Sequence, residues 1–281
     1  MSKLVVFGGA LLALLLLVSN GVWKHEGAAA EVFEVEHEFA PDEAEPENPD
    51  LGEERWQGLY PEPQPMSVFA LPLDARAQGL LVERRIVMGS LESCSRVLVV
   101  LHGRGQPFSG PALRVFQHYV QSRNVAVVVP LAPMPGHQWY LLNGAVSPER
   151  LPGWEESLAL AGALIRAVQA LGKPVAVLGF SQGGAIASTA ALNAAPSVES
   201  LVLCSTYIVS KGLTQRAIRA SSARIVFLHA LRDPIVPFRW GRASAEAIQK
   251  AGGSARFVQL AEAHSHKLLT DELVVTLDEI L

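Results

Sequence analysis

Cysteine is nearly absent from this chain: Cys94 and Cys204 are the two among 281 residues. One precedes a predicted strand and the other ends a different one, and a bridge needs the two Cα atoms within about 7 Å, so two unpaired thiols are expected. The eight histidines and two cysteines show no metal-ligand spacing, so neither a metal site nor a cofactor is indicated. An excess of basic charge is missing too. With 23 Lys and Arg against 27 Asp and Glu, the net charge is −4, which gives no electrostatic footprint for nucleic acid and excludes it as an expected partner. There is no Asn-x-Ser/Thr acceptor, so glycosylation says nothing about compartment.

What the chain does have begins at residue 4. Lys3 precedes an unbroken apolar run over residues 4–18, and Val22 and Trp23 extend it to a marginal span. A cleaved secretory signal and an uncleaved membrane anchor both fit this pattern, so residues 1–30 are expected to direct the chain to the secretory pathway or hold it on a membrane through residues 4–23. Residues 31–79 follow as an acidic, proline-rich linker that cannot bury enough apolar surface to offset its ordering entropy.

From residue 80 the pattern becomes regular, and residues 80–281 are expected to form one domain. Strand-like apolar runs at 80–88, 97–101, 125–129, 175–178, 201–203, 225–228 and 257–260 alternate with helix-like stretches at 111–123, 155–171, 182–194, 239–251 and 266–281. This alternation predicts a mostly parallel sheet with helices on both faces, with an antiparallel opening strand allowed. Ligands of such sheets bind beyond the carboxyl ends of the strands.

One strand runs directly into Gly179-Phe180-Ser181-Gln182-Gly183-Gly184 and then into an alanine-rich helix. A serine on so sharp a turn needs small neighbours, and the turn lifts its hydroxyl clear of the sheet; the Gln182 amide opens the helix, where a developing negative charge is favoured. Partners for Ser181 lie at later strand ends. Asp233, before Pro234, reads either as a turn former or as a carboxylate that orients a histidine. Two histidines compete to stand between them. Ser265 reads as the N-cap of the last helix, which puts His266 in its first turn and His264 in the loop, so His264 is preferred as the base. The glycine-rich loop His102-Gly103-Arg104-Gly105 supplies a second amide, that of Arg104, to complete an oxyanion hole with that of Gln182.

LHGRG, P-L-A-P followed by Trp139, GFSQGGA, CSTY, DPIVP and the late A-H-S together resemble the phospholipase and carboxylesterase family that contains the acyl-protein thioesterases. The resemblance covers roughly residues 80–281 and implies an α/β-hydrolase fold. It further implies a serine hydrolase of carboxylic esters or acyl thioesters, with Ser181, His264 and Asp233 as catalytic residues, Arg104 and Gln182 as oxyanion amides, and Trp139 on the acyl side of the cleft. The substrate expected is a small ester or acyl thioester, with an S-acylated protein as a further candidate. No long insertion separates the predicted strands, which argues against a lidded lipase. The rival from another class is a non-catalytic hydrolase-fold module that binds a lipid or a partner protein.

Overall fold

The computed structural model describes residues 85–105, 110–142, 152–194, 197–209, 213–262 and 264–281. The apolar segment 1–30, the linker 31–79 and the expected domain start at residue 80 lie outside them. Seven strands are described: β1 (Arg85–Met88), β2 (Arg96–Leu101), β3 (Val125–Pro130), β4 (Val175–Phe180), β5 (Ser200–Cys204), β6 (Arg224–His229) and β7 (Ala255–Gln259). They form one sheet in the order β1-β3-β2-β4-β5-β6-β7, with β1 antiparallel to β3 and every other pairing parallel.

Six helices complete the described residues: α1 (Gly110–Arg123), α2 (Trp154–Gln169), α3 (Gln182–Leu192), α4 (Gln215–Ala220), α5 (Phe238–Lys250) and α6 (Asp271–Ile280). Side chains of each strand alternate between two apolar layers. Val97, Val99 and Leu101 of β2 join Leu164 of α2, Ile186 of α3 and Ile248 of α5 on one face, while Leu98 and Val100 join Phe116 of α1 and Leu277 of α6 on the other. Burial on both faces is why β2 to β6 read as near-continuous apolar runs rather than as an alternating pattern, each buried Val or Leu contributing about 1.5–3 kcal/mol.

The chain leaves β2 in one direction, to β3, and then crosses back to lay down β4 on β2's other side. The reversal puts α1 on one face and α2 and α3 on the other, and opens a crevice between the carboxyl ends of β2 and β4. Level register keeps the neighbouring ends together: Leu101 lies opposite Gly179, Phe180 opposite Cys204, and Cys204 opposite Leu228.

Two elements differ from the sequence expectation. Helix α4 is six residues long, too short for its apolar positions to show a period, although Thr214 caps it by accepting from the Ala217 N–H at 3.0 Å. The last helix starts at Asp271, not near residue 266. Its N-cap is Thr270, whose hydroxyl accepts from the Leu273 N–H at 3.1 Å, and Asp271 and Glu272 occupy the first turn. Acidic groups suit the positive end of the helix dipole, whereas a start at Ser265 would put His266 and Lys267 there.

Candidate active site

Ser181 follows β4 with φ 51° and ψ −124°, a conformation that costs a non-glycine residue of order 1–3 kcal/mol. Tight packing holds it there. A Cβ on Gly179 would lie 2.5 Å from the Gly184 Cα and 2.7 Å from the Ala187 Cβ, so only glycine lets α3 close onto the end of β4. The Ser181 N–H donates to the Cys204 carbonyl at 3.0 Å, and the Ser181 carbonyl accepts from the Gly184 N–H at 2.9 Å and the Thr206 hydroxyl at 2.7 Å. With its backbone tied on three sides, the side chain is left to point out of the turn.

Its Oγ lies 3.0 Å from Nε2 of His266, and Nδ1 of the same ring lies 2.9 Å from each carboxylate oxygen of Asp233. A carboxylate has no proton to offer, so Nδ1 carries the hydrogen and Nε2 is left to accept from the Ser181 hydroxyl. The Asp233 side chain is fully buried. Burial of a charge is tolerated only with donors, and the Ile235 and Val236 N–H groups supply them at 2.9 and 2.8 Å to Oδ1. The His266 ring rests on Phe180 at a centroid distance of 5.0 Å, which limits its rotation. A hydroxyl, a neutral imidazole and a buried carboxylate in one hydrogen-bonded row can withdraw the hydroxyl proton as the oxygen attacks an acyl carbon.

This arrangement corrects the choice of base. His264 is exposed, and its Nε2 lies 3.0 Å from a guanidinium nitrogen of Arg232; the imidazole that meets Ser181 and Asp233 belongs to His266. Because α6 begins five residues after His266, that residue lies in the loop, where its ring can turn toward β4.

The loop after β2 lies against the start of α3. A Cβ on Gly183 would lie 2.6 Å from the Leu101 carbonyl oxygen and overlap that of His102, and one on Gly103 would lie 3.5 Å from the Ser181 Cβ. The Gln182 N–H is the first amide of α3, where the helix itself offers no acceptor, and the Arg104 side chain is exposed. His102 sets the loop: its Nδ1 lies 2.6 Å from the Gly103 carbonyl, and its Nε2 accepts from the Ala132 N–H at 3.0 Å. Burial pushes this imidazole down to about 4, outweighing the Gly103 carbonyl, so it is neutral at physiological pH. Cys204, at the end of β5, is no rival nucleophile, since burial pushes its thiol up to about 12.

Trp139 is the second correction. It is fully buried rather than lining a cleft; its indole N–H donates to the His102 carbonyl at 2.7 Å and its backbone N–H to the Gln182 Oε1 at 2.8 Å. The Gln182 side chain also donates to the Tyr140 carbonyl at 2.7 Å, so it staples the 139–140 segment to α3. Nothing in the sequence distinguished this use of Gln182, or the Thr206 hydroxyl on the Ser181 carbonyl, because both depend on backbone atoms distant in the chain. Among the described residues no group of His, Cys, Asp and Glu could hold a metal ion, and no helix is long and apolar enough to cross a membrane.

The phospholipase/carboxylesterase family profile matches residues 83–276. Among curated proteins there is no significant match. Similar solved structures include esterase PE8, 22% identical with a TM-score of 0.58, covering 69% of this chain and 97% of that one. A phospholipase/carboxylesterase from Dyadobacter fermentans is 20% identical with a TM-score of 0.57, covering 70% and 95%. Acyl-protein thioesterase 2 of Zea mays is 18% identical with a TM-score of 0.53, covering 70% and 98%. At these identities the likeness concerns the fold.

Proposed function

The chain belongs to the phospholipase/carboxylesterase family of α/β-hydrolases, and on that premise we propose that it cleaves carboxylic esters or acyl thioesters through an acyl-enzyme on Ser181. The observation that carries this is the His266 imidazole bridging Ser181 Oγ at 3.0 Å and Asp233 at 2.9 Å. His266 takes the Ser181 proton as Oγ attacks the acyl carbon, then delivers it to the departing alcohol or thiol. Water repeats the sequence on the acyl-enzyme and releases the acid. The Arg104 and Gln182 amides stabilise the tetrahedral oxyanion, each contributing about 3 kcal/mol. Asp233 fixes the ring and stabilises the transient imidazolium.

The substrates we propose are small esters and acyl thioesters, with an S-acylated protein as the larger candidate. The apolar segment 4–23 and the linker 31–79 would tether the hydrolase in the secretory pathway or at a membrane. A chain-length series of p-nitrophenyl esters and acyl thioesters tests the proposal: turnover by the wild type, abolished in Ser181→Ala, is expected. A folded wild-type protein that binds these compounds, equally well as Ser181→Ala, but hydrolyses none would contradict it and favour a binding module.

A further inference from the structure

A second imidazole lies against the Asp233 carboxylate. His229 ends β6, is fully buried, and holds its Nε2 2.9 Å from the Val236 carbonyl and 3.5 Å from Asp233 Oδ2. Neither oxygen has a proton to give, so Nε2 carries the hydrogen. Its Nδ1 has no hydrogen-bond partner, and it faces Gly241, where a Cβ would overlap it and lie 3.0 Å from Cε1. Burial pushes His229 below the ordinary histidine value, against the Val236 carbonyl and the Asp233 carboxylate, while His266 adds to the downward shift. His229 is therefore a neutral donor. Phe238 of α5 meets the ring edge-on at 5.9 Å and closes the pocket.

Val236 links the two groups. Its carbonyl accepts from His229, and its N–H donates to Asp233 Oδ1 at 2.8 Å. We propose that His229 is a positioning residue for the reaction: it grips the Val236 peptide and flanks Oδ2, so that the Asp233 carboxylate stays aimed at His266 Nδ1 with its charge undiminished. A cation at this place would aim the carboxylate equally well but compete with His266 for it. A neutral imidazole aims without competing. The inference rests on the Ser181–His266–Asp233 mechanism proposed above.

The test compares the wild type with His229→Gln, His229→Asn and His229→Leu, each checked for folding by thermal melting. A glutamine amide nitrogen reaches the place of Nε2, whereas that of asparagine reaches only Nδ1. Expected are a kcat about 5- to 100-fold lower in His229→Leu and His229→Asn at nearly constant KM, the range that leaving the buried Val236 carbonyl without its donor produces, and recovery of most of it in His229→Gln. The downfield proton resonance of His266 Nδ1–H should move in the Leu and Asn variants and return in the Gln variant. Should His229→Leu fail to fold, the contrast between Gln and Asn, both polar, decides. An unchanged kcat in the Leu or Asn variant, or an equal loss in Gln and Asn, would overturn the inference while leaving the triad intact. A wild type inactive on every ester and thioester would instead overturn the mechanism beneath it.

Discussion

At the residue scale the sharpest distinction is between two histidines two positions apart. His266→Ala removes the imidazole between Ser181 and Asp233 and should lower kcat by about a thousandfold or more, whereas His264→Ala removes an exposed partner of Arg232 and should stay within about threefold of wild type. Ester hydrolysis rates on thermally matched proteins check this. Ser181 carries a second expectation. Its φ of 51° penalises any Cβ, so Ser181→Gly should be more stable than Ser181→Ala by about 1 kcal/mol in urea unfolding, with both inactive; equal stability would mean that the turn stores no strain. Ser181 and Asp233 were legible in the sequence, because each lies just past a strand and just ahead of glycines or prolines. His266 was legible only as an alternative. The choice turned on where the last helix begins, and Ser265 was read as the cap although Thr270, followed by Asp271 and Glu272, carries the better electrostatic signature.

At the scale of elements, the strand–turn–helix formed by β4 and α3 is the unit on which the site is built. Its glycines are specified by contacts, not by flexibility alone. Gly183→Ala would drive a methyl into the Leu101 and His102 carbonyls and pry α3 from the loop that bears Arg104, so a loss of about tenfold or more in kcat with a lowered Tm is expected. Wild-type kinetics in that variant would show that the two loops need not touch. Strands β2 to β6 were legible because both faces are buried, which turns each into an apolar run that survives any choice of register. Helix α4 was not, since six residues hold too little of a 3.6-residue period to read. Trp139 shows the opposite failure. Its position in the chain matched a cleft-lining segment, but its burial behind His102 and its bonds to the His102 carbonyl and Gln182 depend on how the loops stack.

For the whole molecule, two buried neutral imidazoles make stability depend on pH. His102 takes a proton near 6.5 when unfolded and near 4 when folded, and His229 is shifted in the same direction. Between those values the unfolded chain binds more protons, so stability is complete above about 6.5 and falls as the pH drops toward 4, by about 3 kcal/mol for His102 alone. Urea unfolding at pH 7.5 and 4.5 should show this fall, reduced in His102→Gln; a flat profile would mean that neither ring is held neutral. The central claim is that the three groups joined at the carboxyl edge of the sheet act as one unit, and active-site labelling tests it most directly. Peptide mapping after treatment with a fluorophosphonate should find the adduct on Ser181 in the wild type and in His264→Ala, and labelling slowed by about a thousandfold in His266→Ala. An adduct on any other residue, or labelling that survives loss of His266 but not of His264, would contradict the account.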